Sequence, residues 1–189
     1  MLSKLKRAAF LDRDGVINID NGYVHKWEDF EFCDGAIEGM KNLLSLNFKI
    51  IIITNQSGIA RGIFTEKEYK KLTETYVKQL GMEGITITSI YHCPHHPLFS
   101  PFPYNQCGCR KPNPGLFIKA IRKFKFSLSY SIAIGDNERD LEAAKRAGIK
   151  NRFLINNGNK KILNDSEISV HKSLLNCSKY IKNQFPLSI

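Results

Sequence analysis

Apolar positions fall along this chain in two rhythms, short unbroken runs and stripes at helical spacing, and the two alternate from one end to the other. Ala8 to Leu11 is a short apolar run and Lys49-Ile50-Ile51-Ile52-Ile53-Thr54 a longer β-branched one. A run with no polar face predicts a parallel strand buried on both sides. Ile85 to Tyr91 alternates apolar with polar residues and is therefore expected nearer a sheet edge, while Ser131 to Gly135 and Arg152 to Ile155 complete the predicted strands. Between the strands, Ile37, Met40, Leu43 and Leu44 follow Asp34-Gly35 at the spacing of one helix face. Thr65-Glu66-Lys67-Glu68 is a capping box ahead of the stripe Tyr69, Leu72, Tyr76, Val77 and Leu80, which is expected to be core. Pro114 suits the first turn of a helix through Leu116, Phe117, Ala120, Ile121 and Phe124, and Leu141, Ala144 and Ala147 mark another, stopped by Gly148. A closing helix is expected over Ser173 to Asn183. Strand and helix in turn predict an α/β fold, a Rossmann-like parallel sheet flanked by helices, and the 189 residues suffice for one domain spanning 1–189.

In such a sheet ligands bind beyond the carboxyl ends of the strands, so the residues that end each run matter most. The first run delivers Asp12 and Asp14 onto a turn eased by Gly15. Two carboxylates so spaced can divide labour, one as nucleophile and metal ligand, the other passing protons. A calcium loop is excluded, because its fifth, sixth and twelfth positions would be Val16, Ile17 and Tyr23. The second run ends in Thr54-Asn55-Gln56-Ser57-Gly58, whose hydroxyl and amides could grip phosphate oxygens together with backbone N–H groups. Ile134-Gly135-Asp136 repeats the opening pattern, and Asp12 facing Asp136 calls for a hard cation, Mg²⁺ with retained waters. Asp140, one turn into the following helix, is expected behind them. The polar loop Asp20-Asn21-Gly22-Tyr23-Val24-His25 reads equally as a wall of the site or as a surface loop.

Cys93-Pro94-His95 and Cys107-Gly108-Cys109 form two close pairs separated by eleven residues. Three thiolates and an imidazole complete a zinc tetrahedron and leave no open position, so the expected site over 92–110 is structural. His92 and His96 flank the first pair as alternative ligands. Arg110 and Lys111 follow at once, and a metal-pinned loop would hold both cations rigidly, the lysine against a phosphoryl group and the planar arginine against a second anionic or polar group.

Charge widens the field before these motifs narrow it. Lysine and arginine number 28 against 18 acids, a net charge of +10 that invites nucleic acid, anionic lipid or a phosphorylated small molecule. The lysines are scattered, with only short clusters at Lys4-Leu5-Lys6-Arg7 and Lys160-Lys161, so no nucleic-acid partner is expected. No stretch approaches the ~20 apolar residues of a membrane span, and the N-terminal run is too short for a signal peptide. A cytoplasmic protein is expected, with no membrane partner. The odd count of five cysteines fits metal ligands and buried thiols in a reducing compartment.

Taken in order, these stretches resemble the haloacid dehalogenase superfamily of phosphotransferases, with Asp12-x-Asp14, Thr54, Lys111 and Gly135-Asp136 matching its four motifs across essentially the whole chain. The resemblance implies that Asp12 attacks phosphorus to form an aspartyl phosphate, that Asp14 protonates the leaving oxygen and then activates water, and that Thr54 and Lys111 stabilise the transferring group. It places Mg²⁺ on Asp12, the backbone carbonyl of Asp14, and Asp136. The motif spacing leaves no room for a separate cap domain, so a capless fold is expected, acting as a monomer. Within the superfamily, the Asn21 to His25, Thr54 to Gly62, Cys93 to Pro97 and Cys107 to Pro112 segments look like the heptose 1,7-bisphosphate 7-phosphatase branch, which serves the heptose precursor of lipopolysaccharide or related glycans. That likeness implies zinc on Cys93, His95, Cys107 and Cys109. It implies substrate contacts from Asp20, Asn21, Gly22 and Tyr23, from Asn55, Gln56 and Ser57, and from Arg110 to the second phosphate. Asn137 occupies the further substrate position, where relatives often carry lysine, and so departs from the pattern. Histidinol-phosphate phosphatase is a sister branch sharing the acidic turn and the zinc loop, but the Gly22 to His25 and Ser57 to Gly62 segments favour the heptose branch. A phosphatase acting on nucleic-acid ends, or a nucleic-acid binding module, would need a basic and aromatic face that is not legible.

Overall fold

The computed structural model describes residues 6–156, 158 and 167–184. Lys160-Lys161, Lys4-Leu5 and both ends of the expected domain lie outside the described residues. Along the chain the elements are β1 (Arg7–Leu11), α1 (Ala36–Ser45), β2 (Phe48–Asn55), α2 (Glu66–Met82), β3 (Ile87–Cys93), α3 (Gly115–Phe124), β4 (Ile132–Gly135), α4 (Glu138–Arg146), β5 (Asn151–Ile155), β6 (Ile168–His171) and α5 (Leu174–Gln184). The six strands are all parallel, in the order β3-β2-β1-β4-β5-β6. The order reverses between β1 and β4, and at such a switch point the loops beyond the two strands diverge to opposite faces and leave a crevice.

Successive strand residues point to opposite faces, and the two cores divide accordingly. Ala9, Leu11, Ile50 and Ile52 pack with Met40 of α1, Leu72 and Tyr76 of α2, and Leu174 and Ile181 of α5. Ala8, Phe10, Ile51 and Ile53 pack with Leu116 and Phe117 of α3 and Ala143 and Ala144 of α4. The unbroken isoleucine run is thus buried on both sides, and the Tyr69 to Leu80 stripe is core. β3, which alternates, is indeed at one edge of the sheet.

One prediction is corrected here. β5 is not the last strand, because β6 pairs alongside it in parallel. Ile168-Ser169-Val170-His171 is short, mixed in polarity and half-exposed, as an edge strand allows, so it carries no periodic signal.

Candidate active site

The crevice at the β1/β4 switch point is built around three carboxylates. The Asp12 backbone N–H donates to the Ile134 carbonyl at 3.0 Å, so the residue past β1 stays tied to β4. Asp12, Asp136 and Asp140 are all buried and each offers an oxygen within 4.8 Å of the others. Gly15 makes this approach possible: its φ is +80°, and a Cβ there would lie 2.2 Å from an Asp136 oxygen. Burial, then the Asp140 charge, pushes the Asp12 carboxyl well above its ordinary range; Lys111 opposes the rise, and Asp136 and Asp14 add to it. Three buried hard oxygen donors, only two of them paired with Lys111, are a set that Mg²⁺ would fit.

Lys111 is fixed from several sides. Its ammonium lies 2.9 Å from Asp12 and 2.7 Å from Asp140 and donates to the Ile53 carbonyl at 2.8 Å. Burial alone would lower its pKa, but the Asp12 and Asp140 carboxylates outweigh it and hold the group protonated. Its backbone is gripped at both ends by the Asn55 amide, which accepts from the Lys111 N–H at 3.1 Å and donates to its carbonyl at 3.2 Å. Asp140 therefore does more than sit behind the acids, since it pairs with Lys111 and also accepts from the Asn137 N–H at the start of α4.

Asp14 is aimed into the crevice by three donors. Arg13, buried to 1% exposure, bonds one carboxylate oxygen through Nε at 3.1 Å and Nη2 at 2.7 Å, and Asn18 donates to the same oxygen at 3.0 Å. Gln56 donates to the other oxygen at 2.9 Å and to the Thr54 hydroxyl at 2.8 Å, linking the tips of β1 and β2.

A cavity of about 280 Å³ opens above Asp12, Asp14 and Thr54. Asp20, Gly22, Tyr23, Asn55, Gln56, Ser57 and Arg110 line it, as the resemblance implies. Two expected substrate contacts do not. Asn21 borders a separate hollow with Val24 and His25, and the Asn137 side chain is the N-cap of α4, accepting from the Arg139 N–H at 3.3 Å. Three lining residues escape a sequence reading: Gly58, Arg61 and Arg139. Arg61 follows Ser57-Gly58 closely enough that its segment points to the site, but a lone arginine on α4 has no signature.

Beside the cavity, Cys93, His95, Cys107 and Cys109 bring their ligand atoms within 4.8 Å of one another. Individual separations are 3.0 Å for Cys93 to Cys109, 3.6 Å for Cys93 to Cys107 and 3.3 Å for Cys109 to His95 Nδ1. A zinc tetrahedron with Zn–S of about 2.3 Å has edges of about 3.8 Å, so the four donors fit the ion with little movement. Burial lowers the His95 pKa, which favours the neutral ring a metal needs. His92 and His96 are not alternatives: His92 faces Glu66 at 3.0 Å and packs at a tilt against the Tyr69 ring, and His96 accepts from Arg61 at 2.8 Å.

Residues 108–169 match the family model for HAD-hydrolase-like proteins. A D-glycero-alpha-D-manno-heptose-1,7-bisphosphate 7-phosphatase of Photorhabdus laumondii is 42% identical, over 93% of this chain and 97% of its own. The D-glycero-beta-D-manno-heptose-1,7-bisphosphate 7-phosphatase of Escherichia coli is 41% identical, over 97% and 98%. Among solved structures, the D,D-heptose 1,7-bisphosphate phosphatase of B. bronchiseptica, complexed with magnesium and phosphate, aligns with a TM-score of 0.82 and 29% identity, covering 94% of this chain and 99% of that one. With identity of this order over nearly its whole length, the chain belongs to the HAD-like hydrolases, in the branch of the heptose-1,7-bisphosphate 7-phosphatases.

Proposed function

We propose that this chain removes the 7-phosphate of D-glycero-D-manno-heptose 1,7-bisphosphate on the way to a lipopolysaccharide or other glycan precursor. The observation that carries this reading is the separation of charge in the cavity. Lys111 is buried beneath the cavity against Asp12 and Asp140, whereas Arg61, Arg110 and Arg139 line the cavity at its mouth, and among the described residues none of the three is paired with a carboxylate. A substrate with an anion at each end matches both regions. Histidinol phosphate carries one phosphate and an ammonium group, which the arginines would repel.

The chemistry follows from the placement of the side chains. Asp12 is the nucleophile, attacking phosphorus to form an aspartyl phosphate, and Lys111 offsets charge on the transferring group while Asp140 holds the lysine in place. Asp14, held by Arg13, Asn18 and Gln56, gives a proton to the departing sugar oxygen and then takes one from the water that cleaves the phosphoenzyme. The Thr54 hydroxyl steadies a phosphoryl oxygen. Asp12, Asp136 and the backbone carbonyl of Asp14 would hold Mg²⁺, which when bound offsets the repulsion between a carboxylate and a dianionic phosphate. Cys93, His95, Cys107 and Cys109 would hold structural zinc. Asp20, Gly22, Tyr23, Asn55 and Ser57 contact the sugar along the cavity wall. We place the enzyme in the cytoplasm, where the loop thiols stay reduced, as a monomer of one domain.

The test is phosphate release from heptose 1,7-bisphosphate and from histidinol phosphate, with Mg²⁺. The expected result is strong preference for the bisphosphate, activity abolished by Asp12→Asn, and turnover reduced about 10²- to 10⁴-fold by Asp14→Asn. Preference for histidinol phosphate would overturn the substrate while leaving the mechanism.

A further inference from the structure

Arg139 occupies a position where its charge is unfavourable in the free protein. It lies in the first turn of α4, where the helix dipole disfavours cations, and among the described residues its side chain has no carboxylate or aromatic partner. It lines the same cavity as Arg110 and Arg61. The other two arginines at the mouth are tethered: Arg61 donates to His96 and lies 4.5 Å from the Phe99 ring centre, and Arg110 donates to the His95 carbonyl at 3.2 Å. Among the described residues Arg139 has no such side-chain tie, and it faces the same cavity from the α4 side. Lys111 cannot serve an anion at the mouth, being bonded to Asp12 and Asp140. Nor can Asn137, whose side chain caps α4. A cation that costs stability when the cavity is empty is offset once a dianion sits between it and its neighbours.

We propose that Arg139 is a specificity-determining residue that grips the phosphate remote from the reacting centre, completing with Arg61 and Arg110 a three-sided anion clamp. The proposal rests on the bisphosphate reading above and adds a residue to it. Because the side chain is exposed and has no partner among the described residues, Arg139→Ala should fold as the parent does.

The experiment compares the Mg²⁺-loaded wild type, Arg139→Ala and Arg139→Lys on paired substrates, heptose 1,7-bisphosphate with heptose 7-phosphate, and a hexose bisphosphate with its monophosphate. The readout is the ratio of kcat/KM for each bisphosphate to that for its monophosphate. In Arg139→Ala this ratio is expected to fall about tenfold to a hundredfold, through KM rather than kcat, as for loss of one charged hydrogen bond. Monophosphate kinetics should hold, and lysine should restore part of the ratio. An unchanged ratio, or an equal loss on both members of a pair, would overturn the role of Arg139. Failure of the heptose reading would be visible separately, as a wild type that treats the hexose pair as well as the heptose pair while its arginine dependence is still measured.

Discussion

Gly15 and Gly22 share almost the same backbone conformation, φ +80° and +77°, and differ only in their surroundings. Alanine at either position meets the left-handed penalty of about 1–2 kcal/mol. At Gly22 nothing lies within 4 Å of the new Cβ, whereas at Gly15 it would lie 2.2 Å from the Asp136 carboxylate. Gly22→Ala is therefore expected to lower Tm by no more than this penalty explains, at about 2–4 °C per kcal/mol for a chain of this size. Gly15→Ala should lower it further and remove activity by displacing Asp136; thermal melts of the two variants side by side check the difference. Residues of this kind, whose chemistry and position at a strand tip coincide, were legible in the sequence: Asp12, Asp14, Thr54 and Asp136 all sit where the run lengths place them. Arg139 was not, because an arginine in a charged helix turn looks like any solvated charge until the helix is seen beside the cavity. Asp140 was placed behind the acids, but its partner Lys111 was not legible, because it lies far away in sequence.

At the scale of elements, local chemistry sets the ends and long-range pairing sets the rest. The α2 start was readable from four residues, and the structure holds both halves of the box: Thr65 Oγ1 accepts from the Glu68 N–H at 3.2 Å, and Glu68 accepts from the Thr65 N–H at 2.7 Å. Those bonds lower the Glu68 pKa below its ordinary value of 4.5. A depressed folded-state pKa means that the stabilisation is complete above the unfolded value and is lost as pH falls through the lowered one. Protection of the Glu68 amide, its exchange compared with the intrinsic rate at the same pH, should thus fall below about pH 4.5 in the wild type. In Glu68→Gln, where no carboxylate titrates, the Glu68-specific pH step should be absent; a step that persists would show that another group opens this helix end. β6 could not be read in the same way, since its place depends on pairing with β5 and no cap or turn residue announces it. β3 was seen, but about two residues early, because Ile85 is buried ahead of the strand and so extends the apolar pattern past the paired backbone.

The molecule as a whole joins a rigid chemical base to a mouth held by loops. Lys111 belongs to the base, with anchors on Asn55, Ile53, Asp12 and Asp140, none of them in the Cys93–Cys109 loop. Arg61 and Arg110 belong to the mouth, and both hang on that loop, through the His96 ring and the His95 carbonyl. Treatment with a zinc chelator is expected to expose three thiols to a disulfide reagent at neutral pH. Cys33, whose thiol is pushed up to about 11 by burial and then by nearby acids, should stay slow to react, as should Cys177, which is fully buried. The same treatment should raise KM for bisphosphates more than it lowers turnover of a small phosphomonoester; parallel loss of both would show that the base also depends on the loop.

That division of anchors has a consequence for the living cell. With zinc on the cysteine and histidine cluster as proposed, the enzyme in a zinc-starved cell would go on hydrolysing phosphate esters after it had stopped choosing among them. Scarcity of one trace element would then act on the sugar-phosphate pool, turning a dedicated biosynthetic step into a slow leak from neighbouring metabolism.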